Sequence, residues 1–442
     1  MAQTPVHPLK TLVQNQKRGI PEGITSVCSA NEYVLLAALE RSLEKNLPVL
    51  IEATANQVNQ YGGYTGMKPA DFKAFVEGLA TKVGFPLSRL VLAGDHLGPL
   101  TWKDKDEATA MAESRELIRQ YAAAGFTKIH LDTSMHLASD NAKVKLATET
   151  VARRGAELAA VAEAAYRERL KVDPQAVHPV YIIGSEVPIP GGAQEEEEGL
   201  QVTKVSDFYD TVETYRQVFE KAGLTEAWNH VVGVVVQPGV EFGDETIHEY
   251  DREAAKDLTK SLAKFPTLVF EGHSTDYQTP QSLKRLVEDG VAILKVGPAL
   301  TFALREGLYA LSHIEDELFR FQPEVRVSNF IQVLDDAMAR RPHNWKKHYH
   351  GTPAKVRFAR KFSFSDRARY DLPDPEVQES IGLLLGNLKA APIPLSLLSQ
   401  YMPLQYQAVR QGRLKNDPEA LLKDRVVNCL DEYFQAVIPS AK

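Results

Sequence analysis

Cysteine is scarce in this chain: among 442 residues there are two, Cys28 and Cys429. That excludes a disulfide framework and any CxxC metal site. The pair reads as buried thiols in a reducing compartment. Long apolar runs are missing too. No stretch of ~18 apolar residues occurs, so no membrane-spanning helix is expected. None of signal-peptide length precedes Lys17 and Arg18, so no secretion signal is expected and the location reads as cytoplasmic. There is no excess of basic charge. Lys and Arg number 51 against 58 Asp and Glu, a net charge of −7, which suits a nucleic-acid partner poorly. The nucleotide motifs are absent as well. The sequence has no Gly-Lys pair and hence no P-loop. No G-x-G-x-x-G follows an expected strand, and no G-x-S-x-G elbow occurs. Neither a kinase nor a nucleotide cofactor is expected. What remains, 44% hydrophobic and 25% charged residues, is the balance of an ordinary globular protein.

Eight short apolar runs lie along the chain, at 24–29, 49–54, 90–94, 128–133, 180–186, 231–237, 267–271 and 292–296. Segments with apolar residues at three- and four-residue spacing lie between them, such as 108–124, 205–222 and 251–262. Strands covered on both faces read as nearly continuous Val/Ile/Leu runs. Eight of them, each followed by a helix, predict an α/β (β/α)8 TIM barrel over residues 1–321. An open doubly wound sheet is the alternative, since periodicity does not show closure. Residues 322–442 change character. They carry Trp345, His348, Tyr349, His350, a basic stretch at 355–369 and proline-punctuated helical segments. These predict a helical extension packed on the barrel. The acidic run 195–198 reads as a solvated loop.

Polar residues collect at the carboxyl ends of these runs, where the active sites of such barrels lie. They are Glu52, Asp95-His96, Asp132, Glu186, Gln237, Glu271 and His273. Any single one also serves as a helix or turn cap. Two imidazoles with one or two carboxylates at a barrel mouth suit Zn²⁺, Mn²⁺, Co²⁺ or Ni²⁺. Hydrogen-bonded polar residues without a metal are the other reading. Asn56, Gln57, Asn59 and Gln60 follow the second run and suit either a polyol or a loop network. Asp132 is expected to bond substrate hydroxyls, while His130 is expected to pack in its strand with a satisfied ring. Lys295 lies within the eighth run, where a Schiff base is the less favoured reading. Arg367 and Arg369 read as surface charges more readily than as site residues.

Longer stretches carry a resemblance. They include Val-Cys-Ser-Ala at 27–30, Ile-Glu-Ala-Thr at 51–54, Asn-Gln-Val-Asn-Gln at 56–60 and Gly-Gly-Tyr-Thr-Gly at 62–66. Gly-Asp-His-Leu-Gly-Pro at 94–99 and the segments 128–132, 235–242, 273–279 and 293–306 continue it. With them the chain resembles the GatZ/KbaZ family, the Z subunits of class II D-tagatose-1,6-bisphosphate aldolase, over roughly residues 10–440. More distantly it is similar to the catalytic class II aldolases. That likeness implies that Asp95 moves a proton and His96 binds a divalent metal. It implies a second metal ligand in His273 and a catalytic role for Glu186, followed by Gly191 and Gly192. The aldolases' third His falls near 237–241, where this chain has none; Glu241, or less favourably Gln237, is the expected replacement. Their Gly/Ser-rich phosphate loop is also missing. Ser-Thr-Asp-Tyr at 274–277 stands there instead, and Asp276 opposes a phosphate.

Two functions follow from the resemblance. The first is a metal-dependent ketohexose C4 epimerase, interconverting D-fructose and D-tagatose by opening and re-forming the C3–C4 bond. Asp95, Glu186 and Asp132 are its expected catalytic residues, and His96, His273 and Glu241 its metal ligands. Glu52, Asn56, Gln57, Gln237, Asp276 and Lys295 are expected to bind a ketohexose, unphosphorylated in preference to phosphorylated. The alternative is a non-catalytic Z subunit that stabilises and activates a catalytic Y subunit. A homo-oligomer is compatible with both.

Overall fold

A computed structural model of the protein describes residues 6–185, 187 and 200–439. Glu186, Gly191, Gly192 and the acidic run 195–198 lie outside the described residues. Parallel strands β1 (Ile24–Cys28), β2 (Val49–Thr54), β3 (Leu90–Leu97), β4 (Lys128–Leu131), β5 (Val180–Ile183) and β6 (Val231–Val236) come first in the chain. A small antiparallel ribbon of β7 (Glu241–Phe242) and β8 (Ile247–His248) stands apart from them. Strands β9 (Val269–Gly272) and β10 (Val291–Val296) complete an eight-stranded ring. The ring closes where Ile24 of β1 pairs in parallel with Ile293 of β10. Closure decides for the barrel and against an open sheet.

The strands read as nearly continuous apolar runs because helices cover them outside and side chains fill the lumen. Residues Val231–Val236 and Val291–Val296 are buried at every position. Several helices begin on polar side chains. Asn31 accepts from the amides of Tyr33 and Val34 ahead of Glu32–Glu44. Asp106 caps Glu107–Ala124, and Thr279 caps Pro280–Glu288. Each such cap contributes about 1 kcal/mol. The amino end of the barrel is sealed by helix Pro8–Lys17. Its Leu9, Leu12 and Val13 pack on Ile24, Leu50, Val91, Ile182 and Ile293. Among the described residues, this leaves the carboxyl end of the barrel open to a ligand.

Helix Pro298–Phe319 follows β10, and the chain then forms further helices that return to the barrel. The last of these, Pro418–Val437, packs on Glu32–Glu44, Pro280–Glu288 and Pro298–Phe319. Arg41 pairs with Asp431 at its surface, and the Tyr433 hydroxyl donates to the Thr275 carbonyl at 2.7 Å. A second tie is buried. Asp366 accepts from Arg305 Nε at 2.7 Å and from the Thr301 hydroxyl at 2.6 Å. It anchors the 3-10 turn Arg367–Tyr370 to the helix after β10 and sets that turn over the barrel mouth.

Candidate active site

Strand β3 is longer than its apolar run. It continues through Asp95 and His96 to Leu97, with a register shift against β4 between Gly94 and Leu97. A bulge re-aims side chains. Here it puts His96 in the left-handed region at φ 46, a conformation that costs a non-glycine residue of order 1–3 kcal/mol and collects at functional sites. Gly98 is required just beyond, because a Cβ there would lie 1.8 Å from the Asp132 carbonyl oxygen. Ser274 and Tyr277, after β9, are also left-handed, at φ 53 and 65.

Three imidazoles meet in the mouth. The His96 ring lies 4.9 Å from His273 and 5.2 Å from His130, and His130 lies 5.2 Å from His273, centroid to centroid. Asp95, His130, Glu271 and His273 each place a ligand atom within 4.8 Å of the others, and all four are buried. His130 Nδ1 lies 3.0 Å from Asp95 Oδ1, while its Nε2 is buried with no hydrogen-bond partner. His273 Nε2 lies 2.9 Å from Glu271 Oε1. An orphaned imidazole nitrogen beside two carboxylates is a donor set that fits a divalent cation.

The charge balance points the same way. Lys128, wholly buried, bridges Glu52 and Glu271, the latter at 2.7 Å. Lys295 pairs with Asp95 and lies 3.5 Å from Glu52. Asp132 Oδ2 holds His96 Nδ1 at 2.7 Å. Four carboxylates thus face two ammonium groups. Burial alone would raise the Asp95 carboxyl, but His96, Lys295 and His130 together hold it well below the usual carboxylate range. Burial likewise opposes ionisation of Asp132, and His96 more than reverses it. Burial, Lys295 and His96 push His273 well below the ordinary histidine value, so it stays neutral, the form a metal ligand needs. Burial disfavours the Lys295 ammonium, yet Asp95 and Glu52 outweigh it and keep it charged. The excess of negative charge is what a divalent cation would neutralise.

Not every expected residue reaches the cleft. Asp95, His96, His273, Asn56, Gln57, Asp276 and Lys295 line it. Glu52 does not; it is fully buried beneath, spent on Lys128 and Lys295. Asp132 is not among the lining residues; its carboxylate faces His96 and Ser134. Gln237 turns back on its own loop, where its Oε1 accepts from Gly239 and Val240. Glu241 sits in the β7 ribbon, bonded to the Phe242 amide and outside the ligand group. The group of possible ligand atoms contains His130 and Glu271 but neither Glu241 nor His96, whose ring stands beside it. Arg367 is buried, and Arg369 with Tyr370 lines the cleft, so neither arginine is a surface charge. Cys28, Thr54 and Tyr64 also line it. His130 had a legible signal. Lys128, His130 and Asp132 alternate, and alternate residues of a strand share one face, here the lumen.

A family model described as D-tagatose-1,6-bisphosphate aldolase subunit GatZ/KbaZ-like matches residues 9–438. The crystal structure of a probable tagatose 6 phosphate kinase from Sinorhizobium meliloti 1021 is 45% identical. It covers 94% of this chain and 100% of its own, with a TM-score of 0.85. The YdjI aldolase of Escherichia coli K12 is 12% identical, covering 87% of this chain and 97% of its own at a TM-score of 0.40. The fructose-bisphosphate aldolase of Campylobacter jejuni is 14% identical, covering 88% and 94% at 0.42. With its family model matched over nearly the whole length, this chain belongs to the GatZ/KbaZ-like family.

Proposed function

We propose that this chain is a metal-dependent enzyme that opens and re-forms the C3–C4 bond of a ketohexose, interconverting C4 epimers such as D-fructose and D-tagatose. The observation that carries the reading is the buried convergence of Asp95, His130, Glu271 and His273 at the cleft. His130, Glu271 and His273 would hold a divalent cation, such as Zn²⁺, Mn²⁺, Co²⁺ or Ni²⁺, which would supply Lewis-acid polarisation of a ketose carbonyl, with Asp95 beside it. Asp95, ionised and paired with Lys295 at the cleft, accepts the C4 hydroxyl proton and returns it. Asp132 fixes the His96 ring. Asn56 and Gln57 meet sugar hydroxyls, and the extension, residues 322–442, completes the cleft with Arg369 and Tyr370 over a barrel spanning residues 1–321.

The second reading is an accessory subunit that activates a catalytic class II aldolase Y subunit. The family's description as an aldolase subunit favours it. Incubating the purified chain alone with D-fructose and Mn²⁺, and following D-tagatose by NMR, separates the two. Turnover is expected, and Asp95→Asn should lower it ~10²–10⁴-fold, the usual contribution of acid–base chemistry. No turnover alone, with stimulation of a partner aldolase, would favour the accessory subunit.

A further inference from the structure

The helix Pro298–Phe319 starts at the carboxyl end of the last barrel strand. In such barrels the loops after the seventh and eighth strands, with a helix N-terminus, commonly hold a phosphate. Free backbone N–H groups and the helix dipole attract the anion there. In this chain those donors are spent. Asp276 Oδ1 accepts from the Gly297 amide at 3.0 Å and from the Ala299 amide at 2.8 Å. Pro298, between them, has no N–H. The Leu300 and Thr301 amides bond the Gly297 carbonyl, at 3.0 and 3.4 Å. No amide of the first turn is left for a ligand.

The Asp276 carboxylate is itself built into place. It is 3% exposed and lines the cleft. The left-handed Ser274 and Tyr277 turn the loop on either side of it. Thr275 braces the loop by donating to the Lys295 carbonyl at 2.6 Å, while the Tyr433 hydroxyl bonds its own carbonyl. Burial raises the Asp276 carboxyl to about 6, with the two amides and Arg369 opposing, and the two amide donors on Oδ1 are the contacts a carboxylate takes. Arg369 lines the same cleft. Its Nη1 is held by the Asp366 carbonyl at 3.0 Å and its Nη2 by the Tyr370 hydroxyl at 3.1 Å. With Asp95 paired to Lys295 in the same cleft, the Asp276 carboxylate and the Arg369 guanidinium, with Thr54, Asn56 and Gln57, suit the hydroxyls of a neutral sugar.

We propose that Asp276 is an internal stand-in for an anion, occupying the phosphate-ready amides of the last barrel helix and so setting the cleft's specificity for an unphosphorylated sugar end. This deepens the ketohexose reading, but its test needs no turnover. The full chain, Asp276→Ser and Asp276→Asn are stripped of metal with EDTA and titrated calorimetrically with inorganic phosphate and with D-tagatose 1,6-bisphosphate. The serine variant frees both amides and removes the repelling charge. It should bind each probe at least about tenfold more tightly than the parent. Asparagine removes the charge but keeps an oxygen on the amides, so its gain should stay below about threefold. Equal affinities for parent and serine variant would overturn the proposal. If the serine variant fails to fold by circular dichroism, competition on the parent decides. Phosphate in large excess should leave D-tagatose binding unchanged, and competitive displacement would overturn the proposal. A failed epimerase assay, by contrast, would leave these affinities as predicted.

Discussion

Replacing Lys128 by methionine removes the ammonium group that bridges Glu52 and Glu271, where all three side chains are 0% exposed. Burial would lower the Lys128 pKa, and Glu271 and Glu52 outweigh it; the ion pair exists only because both carboxylates are there. The variant leaves two carboxylates without their main counter-charge. Breaking a buried pair by removing one partner costs about 3–5 kcal/mol. At ~2.1 cal/mol/K of unfolding entropy per residue, a loss of about 4 kcal/mol in a chain this long lowers Tm by about 4 °C. The cluster makes a second, sharper demand. If Glu271 belongs to the metal group, a cation there can replace part of the missing charge. Mn²⁺ should therefore raise the Tm of Lys128→Met by more than it raises that of the parent. The assay is thermal unfolding of both proteins in EDTA and in excess Mn²⁺. A variant as stable as the parent would refute the buried ion triad. An equal metal shift in both proteins would remove Glu271 from the metal group.

His130→Gln should weaken Zn²⁺ or Mn²⁺ binding by more than about 100-fold, whereas His96→Gln, beside the group, should weaken it less, by about 10–100-fold. Competition with a chelating dye measures both, and the reverse order restores His96 as the principal ligand. Asp366→Ala leaves the buried Arg305 without its carboxylate, so it should cost about 3 kcal/mol or more and weaken D-tagatose binding by releasing the Arg367–Tyr370 turn. Lost stability with unchanged binding would separate the extension from the site. At the closed end, burial and then His230 lower His7 to about 3, and burial with His178 lowers His230 to about 4. Both are neutral when folded and protonate near 6.5 when unfolded. The stability they contribute is whole above that value and falls as pH drops toward 4 and 3, by about 1.4 kcal/mol per unit for each. His7→Asn keeps an acceptor for the Leu9 amide and should lessen the slope seen in urea unfolding between about pH 6 and 5 by about one proton's worth, ~1.4 kcal/mol per pH unit, leaving the share of the other lowered histidines; an unchanged slope would show that His7 does not carry the effect.

The eight strands were legible because a strand covered on both faces is apolar nearly throughout, as Val231–Val236 is, and Val291–Val296 apart from Lys295. The polar residues at their ends were legible for the complementary reason: Asp95, His96 and His273 interrupt otherwise apolar runs at the same end of the barrel. Closure of the ring was not legible, because it rests on the pairing of β1 with β10 across the length of the barrel. Nor were the partners of each charge. Glu52, Glu271, Lys128 and Lys295 come from four strands, and only their convergence shows that Glu52 is consumed by two lysines while Glu271 is shared between Lys128 and His273. His130 stood in plain alternation with Lys128 and Asp132, yet alternation says only that three residues share a face, not that a nitrogen there lacks a partner. Arg369 lies far along the chain from the barrel strands, and a basic stretch looks the same whether solvated or folded over a cleft. Sequence determines what each residue can do within its own strand or turn. Which charges meet, and which are left for a ligand, is decided by distances that only the closed barrel and its returning helices create.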